Sequence, residues 1–226
     1  MKDVIPLLQA EQELEREFAA EVAGEADPPE GWSAAMMMFH VAQWRERLRK
    51  ALTETAAGRP VNAPTGNIDE LNDAEMAAAS ELTLVDEAAR SDAELTSLID
   101  LLQAAGEQPF DWYTATTNAE AVIRNSYTHA RIHLADQLRQ RGDVARSDHL
   151  FEETASELRK VGAPGHILGA ALFNLASVRA TQGRSDEALT LLEEALPMRP
   201  DLRAILPGDP EFAALRESPR FRTLVD

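Results

Sequence analysis

Two histidines, His129 and His133, stand four residues apart in a stretch with the sequence NSYTHARIHLAD, residues 125–136. On an α-helix, side chains four positions apart lie one turn above the other, so both imidazoles can point at one spot. A third histidine, His40, stands among apolar residues far away in the chain. Neutral imidazole is a common protein ligand for zinc, nickel and iron, and three imidazoles leave a coordination position open. The pattern indicates a catalytic divalent-metal site.

Each of these histidines also has a structural interpretation. A single buried histidine is often a core residue, and histidine pairs four residues apart occur by chance on exposed helices. The position of all three on predicted inward faces favours the metal site. Asp136, three residues after His133, is either a carboxylate that orients a ligand or a solvated surface residue. The two remaining histidines have no partner at ligand spacing, so surface or packing roles are expected for His149 and His166.

The composition limits the classes of function. The 226 residues include no cysteine, which excludes disulfides and thiolate ligands and leaves histidine and carboxylate for any metal site. A formal net charge of −17 opposes binding to nucleic acid, because phosphates would meet a repulsive field. No run approaches eighteen apolar residues, so no membrane span is predicted and a cytoplasmic protein is expected. With 5% aromatic residues and much Ala, Leu and Glu, the chain favours an all-α fold.

The elements that must position the histidines are helices with a period near 3.6 residues. We predict four long helices that form a bundle over residues 1–142, with His40 on the second helix and the histidine pair on the fourth. Ser33, Asn67 and Thr83 are expected helix caps. Gly142 is the expected C-terminal glycine of the fourth helix, and residues 110–113 are predicted as a loop. The predicted helices cover residues 4–22, 34–57, 68–79, 83–105 and 118–141.

The pattern changes from residue 143 onward. Further helices are predicted at residues 145–161, 166–181 and 185–196, and the last two form a hairpin. Within this hairpin the residues at the offsets of a tetratricopeptide repeat are occupied, except that Arg179 replaces the usual aromatic. Residues 209–224 are expected to form a helical cap. The sequence therefore predicts a second part, residues 143–226. The residues at the repeat offsets are Leu172, Leu175, Ala176, Gly183, Ala188, Leu192, Ala195 and Pro200.

Two segments of the first part resemble the DinB/YfiT-like superfamily of metalloenzymes. Residues 31–44, GWSAAMMMFHVAQW, are similar to the second helix of that superfamily, and residues 125–133, NSYTHARIH, are similar to its fourth-helix His-x-x-x-His element. The likeness is greatest to the DfsB-like branch, the colibactin self-protection type, which hydrolyses a reactive cyclopropane electrophile. The resemblance covers about residues 1–142.

The resemblance implies an up-down-down-up four-helix bundle, often a homodimer, in which three histidines bind a divalent metal such as nickel, zinc or iron. It implies an enzyme that acts on a small reactive molecule by hydrolysis or thiol transfer, in a stress or detoxification role. A low-molecular-weight thiol is a further cofactor of some members. The ligands implied are His40, His129 and His133.

The leading hypothesis is therefore a metal-dependent hydrolase or thiol transferase, and the expected pocket wall consists of Trp32, Trp44 and Tyr127. An alternative from another class is a non-catalytic adaptor, in which the bundle is a scaffold and the repeat hairpin binds a protein partner. The two hypotheses differ in whether the concave face of the repeat is free or is filled by helices of the bundle or by residues 209–224.

Overall fold

A computed structural model describes residues 4–79 and 81–225 of the chain. Nearly all regular structure in these residues is helical, so the prediction of an all-α fold is confirmed. Their contacts divide the chain into two compact units, residues 4–143 and residues 144–225. None of the helices in the part described is long and apolar enough to cross a membrane.

The elements are α1 Ile5–Glu21, α2 Ala34–Ala56, α3 Ile68–Ala78, α4 Leu84–Ala105, β1 Pro109–Trp112, β2 Ala115–Thr117, α5 Asn118–Ile123, a π-helical segment Arg124–Thr128, α6 His129–Gln140, α7 Val144–Val161, α8 Gly165–Thr181, α9 Ser185–Met198, two 3₁₀ helices Pro200–Ala204 and Pro210–Leu215, and α10 Pro219–Val225.

Local side-chain bonds start the helices where the sequence predicts. The Ser33 hydroxyl accepts a hydrogen bond from the Met36 N–H at 3.1 Å, and Thr83 caps α4 in the same way. The Asn67 side-chain oxygen accepts from backbone N–H groups in the first turn of α3. Gly142 follows α6 with a φ of 87°, a left-handed conformation that glycine adopts without steric cost. These caps confirm the predicted helix boundaries to within one or two residues.

The first unit is built from α1, α2, α4 and the long helix formed by α5, the π-helical segment and α6. α4 packs along both α1 and α2, and α6 packs against α2. The core between these helices is mostly aliphatic, as expected for amphipathic helices that bury one stripe each. Its most buried side chains include Leu8, Phe18, Met38, Leu48, Leu95, Leu98, Ile123 and Leu134.

A short β-hairpin stands where the sequence analysis predicted a loop. β1 and β2 pair antiparallel, with Pro109 opposite Thr117 and Trp112 opposite Ala115. Side chains alternate between solvent and core along β1, and the inward residues Phe110 and Trp112 are buried. Burial of two large aromatic side chains two residues apart stabilises an extended strand in this short segment.

The second unit contains α7, the α8–α9 hairpin and the C-terminal tail. The hairpin contributes Ala and Leu side chains to a common apolar cluster, which the tail completes with Leu206, Phe212, Leu215 and Phe221. Phe212 lies with its ring centroid 5.2 Å from that of Phe173 on α8. The predicted helical cap is therefore confirmed: the tail covers the side of α8 that carries Phe173.

Arg179 takes the place of an aromatic residue inside this hairpin and is only 5% exposed. Its guanidinium donates to the Gln182 side-chain oxygen at 3.1 Å and pairs with Glu152 of α7. A charged contact therefore links α8 to α7 at the one repeat position where the sequence departs from the pattern.

Candidate metal centre

The three histidines that the sequence singles out meet in the first unit. His40 projects from α2, and His129 and His133 project from the first turn and a half of α6. The Nε2 atom of His129 lies 3.1 Å from Nε2 of His40 and 3.0 Å from Nε2 of His133. One ligand atom from each residue lies within 4.8 Å of the others. Two imidazole nitrogens bound to one ion at about 2.1 Å, with ligand angles of roughly 90–109°, would be about 3.0–3.4 Å apart.

Hydrogen bonds alone cannot account for this arrangement. In a neutral imidazole each ring nitrogen is either a donor or an acceptor, and it has one hydrogen or one lone pair to use. The Nε2 atom of His129 therefore makes at most one good hydrogen bond with its two neighbours. A cation could accept a lone pair from each of the three nitrogens. The donor set and the two distances from Nε2 of His129 fit a divalent ion.

The surroundings keep all three imidazoles neutral, which is the form that binds metal. Burial lowers the pKa of His40 to about 3, helped by the charges of His133 and Arg47. Burial lowers the pKa of His133 to about 4. Burial also brings the pKa of His129 well below its usual value, and the neighbouring histidines add to this effect. At neutral pH, protons do not compete with an ion for these nitrogens.

Two of the three predicted wall residues surround the histidines. The Trp32 ring centroid lies 4.9 Å from that of His40 and 5.4 Å from that of His133, on which the ring stacks. The Trp44 ring lies at 6.3 Å from His129 and 6.4 Å from His40. Aromatic rings on two sides give the site an apolar wall that limits the access of water.

The third predicted wall residue, Tyr127, is fully buried. Its ring lies beneath the guanidinium of Arg131, with Cζ 4.3 Å from the ring centroid. Arg131 in turn donates to a carboxylate oxygen of Glu11 at 2.7 Å. The observed partners of Tyr127 thus lie toward α1.

The loop before α2 is held against the end of α6. The side-chain amide of Gln137 donates to the Trp32 carbonyl at 2.7 Å. Gly31 has a φ of 85°, and a Cβ atom at this position would lie 2.6 Å from Nε2 of Gln140. The left-handed backbone, rather than this contact with a flexible side chain, favours glycine here. Asp136, one of the candidates to orient a ligand, is exposed.

The helix that carries His129 changes its hydrogen-bonding pattern just before this residue. Between Arg124 and Thr128 it is π-helical, and the His129 N–H bonds to the Arg124 carbonyl five residues back. Such π-helical turns are rare and occur frequently at functional sites. The sequence analysis predicted an uninterrupted helix here, and the local sequence carries no clear signal for the wider turn.

Two hydrogen bonds tie the π-helical segment to α2. The Asn125 side-chain amide donates to the Trp44 carbonyl at 3.1 Å, and Nη2 of Arg45 donates to the Ser126 carbonyl at 2.9 Å. Because His40 also lies on α2, these bonds fix the two ligand-bearing elements relative to each other.

Buried ion pairs lie on the inner side of α2. Arg45 is 0% exposed and makes a bidentate pair with Glu15, with N–O distances of 2.7 and 2.5 Å. It also donates to the Ser91 hydroxyl at 2.6 Å.

A second buried ion pair joins Glu11 of α1 to Arg131 of α6. Burial nevertheless raises the Glu11 pKa to about 7. Among the described residues the Oε1 atom of Glu11 has no hydrogen-bond partner. The sequence analysis missed this network.

A second group of polar side chains surrounds Trp44. The indole N–H of Trp44 donates to the Asn72 side-chain oxygen at 3.1 Å. The guanidinium of Arg47 lies over the Trp44 ring, 4.8 Å from its centroid, and pairs with Glu75. Asn72 and Glu75 both belong to α3, which the sequence analysis did not connect with the site.

The turn of the β-hairpin adds Tyr113 to this group. The Tyr113 ring lies 6.4 Å from that of Trp44, and the guanidinium of Arg124 lies 4.6 Å from its centroid. Tyr113 has a φ of 53°, a conformation that is uncommon for a residue with a bulky side chain and often marks a functional site. Neither Tyr113 nor Arg124 was predicted from the sequence.

Comparison with known proteins finds a similarity over one third of the chain. Residues 127–201 match the model of the tetratricopeptide repeat, which supports the repeat predicted from the α8–α9 pattern. The match begins in the last helix of the first unit and extends through α7, α8 and α9. A search of the curated proteins and a search of the solved structures return no match. Residues 127–201 are therefore similar to tetratricopeptide repeats.

Proposed function

We propose that residues 4–143 bind one divalent metal ion, nickel, zinc or iron, through the Nε2 atoms of His40, His129 and His133. The observation that carries this proposal is that Nε2 of His40 and Nε2 of His133, both in neutral imidazoles, lie 3.1 and 3.0 Å from Nε2 of His129. Hydrogen bonding leaves at least one of these contacts unexplained, whereas one ion accounts for all of them.

The proposed activity is that of an enzyme acting on a small reactive molecule by hydrolysis or thiol transfer, in stress or detoxification. An ion with three imidazole ligands supplies a Lewis acid with open coordination positions. Trp32 and Trp44 would hold the reacting molecule and exclude bulk water. The resemblance of residues 31–44 and 125–133 to the DinB/YfiT-like superfamily supports this reaction class and suggests a low-molecular-weight thiol as a second cofactor and a homodimer as the assembly.

Elemental analysis by mass spectrometry tests the metal site. The full chain is purified without an affinity tag or chelator, alongside His40→Ala, His129→Ala and a control, His149→Ala. The control removes an exposed histidine of the second unit. We expect near-stoichiometric metal in wild type and control and at least a tenfold loss in both ligand variants, because the loss of one of three ligands weakens the site more than the core.

The result that overturns the metal site is wild-type protein that contains no metal and takes up none on titration. Retention of metal in both ligand variants would likewise exclude these histidines as ligands. Circular dichroism of each variant shows that the helices are intact, so that a loss of metal is not a loss of fold.

The similarity to tetratricopeptide repeats favours a second candidate function, the binding of a protein partner by the second unit. One face of α8 is not free, because Phe212 packs on Phe173 and the Ser177 hydroxyl donates to Glu211. A partner would therefore contact the remaining surface of α8, where Asn174 is half-buried. Under this hypothesis an isolated partner binds the His40→Ala protein as well as it binds wild type. Its binding is lost in the Asn174→Arg protein. Equal binding to all three proteins contradicts it.

A further inference from the structure

Helix α3 contacts α2 at Trp44 and Arg47. Every residue of α3 is at least partly exposed to solvent, so the helix contributes no fully buried side chain to the core. Its side-chain contacts with α2 include the hydrogen bond from the Trp44 indole to Asn72 and the ion pair between Arg47 and Glu75. A helix with no fully buried side chain is held weakly, because packing supplies most helix stability in proteins.

Arg47 carries a donor that this arrangement leaves unused. Its Nη1 atom is buried and has no hydrogen-bond partner among the described residues, although the guanidinium pairs with Glu75 and lies over Trp44. A buried donor without a partner costs free energy unless a ligand supplies the acceptor. The guanidinium presents parallel N–H groups that match the two oxygens of a carboxylate.

A second guanidinium faces the same place. Arg124 lies over the ring of Tyr113, and that ring contacts Trp44. Burial raises the pKa of the Tyr113 hydroxyl, while the charges of Arg124 and Arg47 lower it, so both cations act on this one phenol. Two guanidinium groups therefore lie near the three uncharged histidines, in a chain with a net charge of −17.

We infer that Arg47 and Arg124 form a carboxylate-binding subsite beside the histidines, and that α3 is a lid whose Glu75 occupies Arg47 until the carboxylate of a small-molecule substrate displaces it. This inference deepens the proposed function and names its substrate class: a reactive molecule that carries a carboxylate. The chain itself shows that a carboxylate fits, since the Glu75 side chain already pairs with Arg47. Displacement of Glu75 removes one of the attachments of α3 and favours opening of the lid.

The test uses the full chain labelled with ¹⁵N at tryptophan and freed of metal with a chelator. The chain has 3 tryptophans, so the indole region of the NMR spectrum is simple, and a Trp44→Phe variant assigns the Trp44 signal. This signal reports on α3, because the Trp44 indole bonds to Asn72. Benzoate is the probe, and benzyl alcohol is the uncharged probe of similar shape. An Asn72→Ala variant gives the position of the signal when the bond to α3 is absent.

We expect benzoate to move the Trp44 signal saturably toward its position in Asn72→Ala, and benzyl alcohol to leave it in place. Loss of a charge-assisted bond in Arg47→Gln or Arg124→Gln should weaken benzoate binding about tenfold. Glu75→Gln removes the competing carboxylate and should strengthen binding by about the same factor. Glu70→Gln, on the same helix, is the control and should match wild type.

Two results overturn the subsite: equal responses to the two probes, or benzoate binding that neither Arg47→Gln nor Glu75→Gln changes. Because the two variants act in opposite directions, a folding defect in one of them does not hide the outcome. Because the protein is free of metal, failure of the metal site appears only in the elemental analysis, and failure of the subsite appears only in this titration.

Discussion

The two compact units differ in the ionisable side chains that they bury beside their apolar cores. The first unit buries ionisable groups on its helices, among them Glu11 and Glu15 on α1, His40 and Arg45 on α2, and Arg131 on α6. The second unit buries an apolar cluster whose members are almost all alanine, leucine and phenylalanine. That cluster includes Ala155, Leu172, Phe173, Leu175, Ala176, Ala180, Ala188, Leu189, Leu192, Ala195, Leu196, Leu206, Phe212, Leu215 and Phe221.

The buried charges of the first unit position the histidines, whereas the apolar cluster of the second unit stabilises its fold. A buried ion pair contributes little net stability, because desolvation offsets the attraction between the charges. The apolar cluster stabilises its unit directly by removing apolar surface from water. The ion pairs of the first unit instead hold α1, α2 and the π-helical segment in one arrangement, and this arrangement orients His129 toward His40.

The largest effect is expected from breaking the buried network in the first unit. Arg45→Met leaves Glu15 buried without its partner, and the free energy of unfolding at neutral pH should fall by about 3–5 kcal/mol. Urea unfolding followed by tryptophan fluorescence measures this, because all 3 tryptophans of the chain lie in the first unit. Arg49→Met on the same helix removes a partly exposed pair with Glu94 and should cost less than about 1 kcal/mol. Equal losses in the two variants would contradict the special role of Arg45.

A cavity in the second unit should cost somewhat less. Leu192 is 0% exposed in the apolar cluster, and Leu192→Ala should lower the free energy of unfolding by about 3 kcal/mol through lost contacts and an unfilled cavity. Far-UV circular dichroism follows this transition. Thr190→Ala, on the exposed side of α9, is the matched control and should change stability by less than about 0.5 kcal/mol. A Leu192 variant as stable as the control would show that the cluster is not what stabilises this unit.

The histidines should make the metal-free first unit sensitive to acid. The pKa of His133 is about 4 in the folded protein, and an unfolded histidine titrates near its ordinary value of 6.5. Between these values the unfolded chain binds the proton more strongly, so stability falls as the pH falls, by at most about 1.4 kcal/mol per pH unit. Glu11 has the opposite effect, because burial raises its pKa to about 7. The stability that its protonated form contributes to the folded protein is lost as the pH rises from 4.5 toward 7.

The comparison of wild type with His133→Gln isolates the histidine contribution, because both proteins retain Glu11. In chelator-treated protein, the stability difference between pH 6.5 and pH 5.5 should be about 1 kcal/mol smaller in the variant, because the unfolded histidine is already half protonated at pH 6.5. Urea unfolding at both pH values gives the two differences. A variant with the same pH dependence as wild type would mean that His133 is not buried as a neutral imidazole.

The smallest effect is expected at the one arginine buried in the second unit. The partners of Arg179 are Glu152 and Glu187, whose side chains are 42% and 53% exposed, so water can replace the arginine at both carboxylates. Arg179→Tyr restores the aromatic of the repeat pattern and should stay within about 1 kcal/mol of wild type. Thermal unfolding measures this. A loss as large as that of Arg45→Met would remove the distinction between the two units.

The predictable parts of the molecule are those fixed by local sequence. Side chains such as Ser33 and Thr83 cap their own helices, and Gly142 ends α6, so the helix boundaries follow from neighbouring residues. Helical spacing also predicts that His129 and His133 share a face. The juxtaposition with His40 required a further inference, that α2 and α6 pack together, and the observed packing of these helices agrees with it.

The features that the sequence analysis missed depend on distant partners. Arg45 lies in the basic run 45–50, and its burial depends on Glu15 of α1. Its spacing from Val41 and Leu48 places it on the apolar face of α2, which is a signal that could have found it. The residues around Trp44 come from α3, the hairpin turn and the π-helical segment. No single stretch of sequence therefore shows that they lie together. The hairpin itself is stabilised by the burial of Phe110 and Trp112 in a core that local propensity does not describe.

The π-helical segment has a consequence for insertions and deletions. In a π-helical turn each N–H bonds to the carbonyl five residues back, so the turn contains one residue more than an α-helical turn. The helix that follows keeps nearly the same orientation despite the extra residue. Deletion of one residue within 124–128 would then leave an ordinary α-helix in which His129 and His133 point almost as before. The hydrogen bond from Arg45 to the Ser126 carbonyl would be lost. Deletion of Ala130 would rotate His133 away from its neighbour by about 100°. Related chains that differ in length by one residue could therefore keep these histidines in place, provided that the gap falls in this turn.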